Sequence, residues 1–296
     1  MFPETDVQKL YQQIRYYKSG CAGYDINIDG LSIENLNNLL PYGLMGLSCS
    51  NTKIRVIDGF PSSLQSLKCR NTFYLEAIER LPINLAHLDC GKSTVKKLCE
   101  LPQNLRVLII DGTNIKMLPN LPMLLEELNC SNNHISKIES LPLNLSILNV
   151  SNTLINSLPR LPSFLKTLNC SNTRISKLEH LPTYLTELNI LNTYIVKLDF
   201  IPLNIQKITC SAKFIDDNFD DLPNTFMYFG CSCCGRDYIP TNCLYCYYQK
   251  LNCTFEAAFI QWKELLTIER VKRRNEVFKQ ELFMRTENAS DSIECC

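Results

Sequence analysis

Apolar residues recur along this chain with a long, regular period. Prolines stand at 41, 61, 82, 102, 122, 142, 162, 182, 202 and 223, spaced 20 or 21 residues apart. Leu precedes nearly every one, Phe60 and Ile201 being the exceptions. Three residues after each proline come Leu44, Leu64, Leu85, Leu105, Leu125, Leu145, Leu165, Leu185, Ile205 and Phe226. Six after come Leu47, Leu67, Leu88, Leu108, Leu128, Leu148, Leu168, Leu188, Ile208 and Phe229. A further apolar column, thirteen after, runs Ile54, Tyr74, Val95, Ile115, Ile135, Ile155, Ile175, Ile195 and Ile215. The unit is LPxxLxxLxCxNTxIxxLxx. Within it "LxxLxC" predicts a short strand with alternate side chains turned inward. One such strand cannot bury its apolar face alone, so units must stack into a continuous parallel sheet and core. Twenty residues leave no room for a helix on the return side, which predicts an extended, polyproline-like segment and a strongly curved rod.

The unit, spread over residues 24–251 as about ten repeats with the first and last degenerate, resembles the leucine-rich repeat in its shortest class, with a leading Leu-Pro. That class is known from secreted bacterial effectors and giant DNA viruses. The resemblance implies a leucine-rich repeat solenoid: a curved parallel β-sheet, an extended or polyproline-like convex side, and helical N- and C-terminal caps. It also implies that a side chain in the loop after the strand bonds the backbone of the neighbouring turn. Thr replaces the family's usual Asn there, as in Asn152-Thr153 and Asn172-Thr173, and its hydroxyl can do some of that work. Lys92, Gly112 and Ala212 break the Asn column, which predicts an interrupted ladder.

The ends of an open stack need covering. Residues 1–23 are expected to hold a helical N-terminal cap, over 4–18 with Leu10, Ile14 and Tyr17 on one face. "YDINIDGLSIENL" (24–36) follows as a degenerate unit with Ile26, Ile28, Ile33 and Leu36 inward. Residues 252–286 predict a helical C-terminal cap, with Phe255, Phe259, Trp262 and Leu266 as its stripe and a bend near Lys272-Arg273-Arg274. Residues 287–296 read as a disordered tail.

Thirty basic and thirty acidic residues cancel. That balance gives no reason to expect nucleic acid or a membrane surface as partner. No apolar run reaches ~18 residues, and the start carries charges where a secretory signal would be apolar. The expected compartment is therefore the cytoplasm (the host's, for a viral or effector protein), where disulfides do not persist. The expected state is a monomer.

Compartment decides how the 16 cysteines are read. Eight residues after each proline the column runs Cys49, Cys69, Cys90, Ile110, Cys130, Val150, Cys170, Ile190, Cys210 and Cys231. Cysteine alternates there with Ile and Val, as a small buried apolar group can and a ligand or nucleophile cannot. The segment "CSCCGRDYIPTNCLYCYYQKLNC" (231–253) is different. Cys231, Cys234, Cys243 and Cys246 have zinc-ligand spacing, and a zinc there would staple the end of the stack. The repeat accounts for Cys231 and Cys246 without metal, so packing is favoured and no cofactor is expected. The terminal Cys295-Cys296 resembles a double-prenylation signal, but nothing else in the chain does, and a tail is the favoured reading.

No catalytic constellation is present: His87, His134 and His180 lie at non-equivalent positions of different units. The function expected is that of a non-enzymatic module binding a protein partner on the concave sheet face. The outward strand positions offer two zones there. One is varied: Lys68, Arg70, His87, Asp89, Val107, Ile109 and Asp111, the two apolar residues reading as an exposed anchor inside a polar rim. The other is an Asn/Ser stripe, Asn129, Asn149 and Asn169 with Ser131, Ser151 and Ser171 beside them, all read as outward-facing. The alternative is an adaptor whose zinc-stapled C-terminal region recruits a second partner such as ubiquitin machinery.

Overall fold

The computed structural model describes residues 6–17, 23–36, 39–57, 59–211, 214, 228–231 and 268. Helix α1 (Asp6–Tyr17) opens the chain and buries Leu10 and Ile14 in the core. The strands follow as β1 (Tyr24–Asn27), β2 (Leu44–Ser48), β3 (Ser66–Lys68), β4 (Ala77–Ile78), β5 (His87–Asp89), β6 (Lys97–Leu98), β7 (Val107–Ile109), β8 (Glu127–Asn129), β9 (Ile147–Asn149), β10 (Thr167–Asn169), β11 (Glu187–Asn189), β12 (Lys207–Cys210) and β13 (Tyr228–Cys231). Among the described residues, eleven form one parallel sheet in the order β1-β2-β3-β5-β7-β8-β9-β10-β11-β12-β13. The register is that of the repeat: Leu88 pairs with Leu108, Leu128 with Leu148, and Leu168 with Leu188.

Each turn is built the same way. The proline ends the return segment, and its carbonyl accepts the N–H three residues on, as in Leu125 to Pro122 and Leu165 to Pro162, both 3.1 Å. Pro thus opens a β-turn into the strand, where its missing donor costs nothing. The next two N–H groups share one carbonyl of the preceding turn: Ser146 and Ile147 both donate to Glu126. That irregularity shortens most strands to three residues, less than the "LxxLxC" stretch suggested. Leu165, Leu168, Cys170 and Ile175 of one unit are all buried, each stacked on its equivalents in the turns before and after. Ile26, Ile28, Ile33 and Leu36 of the degenerate first unit are buried as expected.

Among the described residues the far side carries little regular structure, with the β4–β6 pair and a single bridge between Asn35 and Val56. One apolar position moves. The unit beginning at Pro61 has one extra residue, so Leu75 takes the buried site and Tyr74 is turned out to the surface, beneath the Arg55 guanidinium at 5.3 Å.

The Asn column also behaves differently from expectation. Asn51, Asn71, Lys92, Asn132, Asn152, Asn172 and Asn192 all have φ between 50° and 60°, and Gly112 has φ 62°. The column selects residues that tolerate left-handed backbone. The hydrogen-bond ladder itself uses main-chain N–H groups and runs through Lys92 (to Asp111, 2.5 Å) and Gly112 (to Ser131, 2.9 Å) without interruption. Ala212 lies outside the described residues. The hydroxyls of Thr52, Thr153 and Thr173 donate to the column residue of their own turn, Cys49, Val150 and Cys170. The longer Asn133 side chain reaches the backbone of the neighbouring turn, donating to Ile110 (2.7 Å) as well as to Cys130 (3.1 Å) and Ser131 (3.1 Å).

The C-terminal cap residues, the tail, and Cys234, Cys243, Cys246, Cys295 and Cys296 lie outside the described residues. Cys231 is described through its backbone in β13, paired with Cys210.

Candidate partner-binding face

The face of the sheet turned away from the core carries the residues singled out from the sequence. In-register pairing places Lys68, Asp89, Ile109, Asn129, Asn149, Asn169, Asn189 and Thr209 in one continuous row. A parallel row runs through His87, Val107, Glu127, Ile147, Thr167, Glu187 and Lys207.

The varied zone is not the open rim that its composition suggested. Arg70 reaches over the sheet and is held by two carboxylates: Nη1 donates to Asp89 (3.0 Å) and Asp111 (2.9 Å), and Nη2 donates to Asp111 (3.0 Å). Both aspartates are buried. The guanidinium crosses the intervening turn above Gly91, where a Cβ would lie 2.6 Å from Nη1 and 2.4 Å from the Asp111 Oδ1. Glycine at 91 is thus the gap through which the clamp passes. The bond to Asp111 leads the interactions that raise the Arg70 pKa, keeping it charged. Val107 and Ile109 are half-buried, not exposed, because neighbouring strands cover their flanks. Lys68 remains exposed. His87 is half-buried, and its Nε2 is enclosed without a partner. Burial lowers its pKa, Lys68 lowers it further, and Asp89 and Glu127 act in the opposite sense.

The Asn/Ser stripe divides by depth. Ser131, Ser151 and Ser171 are buried, not outward-facing. Each donates its N–H (3.1–3.2 Å) and its hydroxyl (2.8 Å) to the Oδ1 of the asparagine two residues earlier: Asn129, Asn149 and Asn169. Asn189 accepts from the Leu191 N–H in the same way. In the varied zone Asp89 does the same for its own turn, accepting from the Gly91 N–H at 3.1 Å. The carboxamides are therefore fixed through their oxygens, each held by the turn two residues on, and the amide nitrogens take no part in these bonds.

The cysteine column is core. Cys49, Cys69, Cys90, Cys130, Cys170 and Cys210 are buried free thiols. Desolvation pushes Cys49, Cys130, Cys170 and Cys210 up to about 12. They stay protonated and are poor nucleophiles.

One surface escaped the sequence reading. The turns that lead into the strands carry exposed Ile83, Met123, Leu143, Phe164, Tyr184 and Leu203, with Phe164 and Tyr184 stacked at 6.0 Å. The signal was present as apolar residues one or two positions after the proline, but it is irregular from unit to unit.

A parallel, in-register sheet with one strand per unit of 20 or 21 residues, leucines inward and a left-handed residue, mostly Asn, in the turn that follows, leaves one architecture. This is a leucine-rich repeat fold. Solved leucine-rich repeat structures agree. YopM from Yersinia enterocolitica is 27% identical, with a TM-score of 0.57 over 70% of this chain and 50% of that one. YopM from Yersinia pestis, described as a leucine-rich effector protein, is 22% identical with a TM-score of 0.62 over 82% of this chain and 71% of that one. The functional domain of InlJ from Listeria monocytogenes, which includes a cysteine ladder, is 19% identical with a TM-score of 0.60 over 72% and 55%. The chain thus spans half the length of the Yersinia enterocolitica protein. No family model and no curated protein matches the sequence. In the leucine-rich repeat frame, the row from Lys68 to Thr209 is the concave face.

Proposed function

We propose that the chain is a non-enzymatic protein-interaction module that binds its partner on the concave face, acting in the cytoplasm as a viral or effector-like protein on host factors. The supporting observation is the continuous outward row from Lys68 through Ile109 to Asn189, held in register by the sheet. Such a face offers length and rigidity, which suit a protein surface. The effector description of the Yersinia pestis neighbour points the same way.

Within the face, Arg70, Asp89 and Asp111 are committed to one another, so reversing their charges would test folding, not binding. Lys68 and Ile109 are the informative positions. Partners captured from host-cell lysate should be lost with Lys68→Glu combined with Ile109→Arg. They should be kept with Lys137→Glu, at an exposed ion pair with Glu139 on the return side. Capture that survives the concave double substitution overturns the reading.

A further inference from the structure

The asparagine row holds an asymmetry that the turn geometry alone does not use. In Asn129, Asn149, Asn169 and Asn189 the Oδ1 is occupied by the N–H of the residue two positions on, and in the first three by the serine hydroxyl as well. The Nδ2 groups have no intramolecular partner among the described residues. The result is a ladder of fixed, uncharged donors with no competing acceptor on the same side chain. A donor-only surface is complemented by groups that only accept, and among ionised side chains at neutral pH these are Asp and Glu.

The columns alongside restrict where such groups can sit. Next to Asn129 and Asn189 stand Glu127 and Glu187; next to Asn149 and Asn169 stand the neutral Ile147 and Thr167. Lys166, three residues before Asn169, is exposed, and its N–H bonds the Ser146 carbonyl of the preceding turn. Carboxylates are therefore favoured on the two middle rungs and repelled at the two outer ones, where a cation fits, more strongly beside Glu127 than beside Glu187, which has Lys207 as its in-register neighbour. Rungs of a parallel sheet lie about 4.8 Å apart. A helix places successive residues of one face about 5.4 Å apart. An extended strand repeats its facing side chains every ~6.8 Å, which falls out of step within two rungs.

We propose that the concave face takes a helical segment of a protein partner, laid across the strands, with two acidic residues on Asn149 and Asn169 and a basic residue one turn beyond each, against Glu127 and Glu187. This rests on the concave-face reading above and specifies its partner's chemistry. The ladder's oxygen is structural and its nitrogen is the recognition atom.

Asn→Asp separates the two roles. Aspartate keeps the Oδ1 that the Ser N–H and hydroxyl need, as Asp89 shows for Gly91, but replaces the donor by a charged acceptor. The probe is an alanine-based helical peptide of about 20 residues carrying Lys, Glu, Glu and Lys at positions i, i+4, i+7 and i+11, which share one face at about one turn apart; its control carries Glu, Lys, Lys and Glu there. In amide-resolved NMR titrations the first peptide should move the side-chain NH2 signals of Asn149 and Asn169 saturably, and the control should not. Asn149→Asp or Asn169→Asp should weaken binding about tenfold, with backbone spectra otherwise unchanged. Equal binding of both peptides, no shift at the two asparagines, or indifference to Asn→Asp overturns the ladder's role. If a captured partner depends on Lys68 and Ile109 but not on Asn149 or Asn169, the concave-face reading stands and this inference falls alone.

Discussion

At the scale of single residues, side chains of one type serve unlike ends according to their place in the turn. Asn172 is chosen for a φ of 54°, whereas Asn169, three residues earlier, is chosen for an oxygen that caps Ser171. Cys170 is chosen for size, and Val150 and Ile190 fill the same site in the adjacent turns. His87 is the residue whose surroundings set a pH response. It is flanked by Lys68 on β3, Asp89 on its own strand and Glu127 on β8, and desolvation dominates, so its folded pKa lies below the ordinary 6.5. A group with a depressed pKa and a cationic protonated form is held neutral by folding. Its contribution is complete above about pH 6.5 and is lost as pH falls from there through the folded value. Thermal unfolding followed at about pH 7.5 and about pH 5.5 should show a larger drop in Tm for the native chain than for His87→Gln. An equal drop in the two would show that His87 carries no such linkage.

At the scale of elements, β3, β5 and β7 are tied together by more than their ladder. Arg70 joins Asp89 and Asp111 across two strand spacings, and Gly91 leaves the passage open. Removing the cation leaves two buried carboxylates uncompensated. Arg70→Met should cost roughly 3 kcal/mol, at the low end for buried pairs because the Arg70 side chain keeps 31% exposure. Gly91→Ala should cost a similar amount by displacing the clamp. The two together should cost much less than their sum, since each removes the same interaction. Urea unfolding of the three variants measures this; simple additivity would mean that Gly91 serves some other purpose.

At the scale of the whole molecule, each turn touches the turns before and after it, so stability is a sum of units and interfaces. Deleting residues 141–160 removes one turn and joins Ser140 to Leu161, leaving the Leu-Pro register intact. The shortened chain should keep its circular dichroism per residue and unfold cooperatively with a smaller urea m-value, in step with the lost surface. Aggregation or loss of cooperativity would show that β9 makes contacts that its neighbours cannot replace.

The repeat, the inward columns and the parallel stacking were legible in the sequence, because they depend on period and hydrophobicity, which are written locally in each unit. The candidate face was legible too, since outward positions follow from inward ones. What that face presents was misjudged. Arg70, Asp89 and Asp111 looked like a charged rim, and Ser131, Ser151 and Ser171 looked like surface hydroxyls. Pairing between turns consumed the former and an Asx-type cap buried the latter. Tyr74 and Leu75 exchanged places because one inserted residue shifts phase only after the loop that absorbs it. The serine caps are contacts two residues apart, but whether Arg70, Asp89, Asp111 and Thr113 are spent inside the fold or left for a partner depends on distances between residues 19 to 41 positions apart. Only the stacked structure sets those distances.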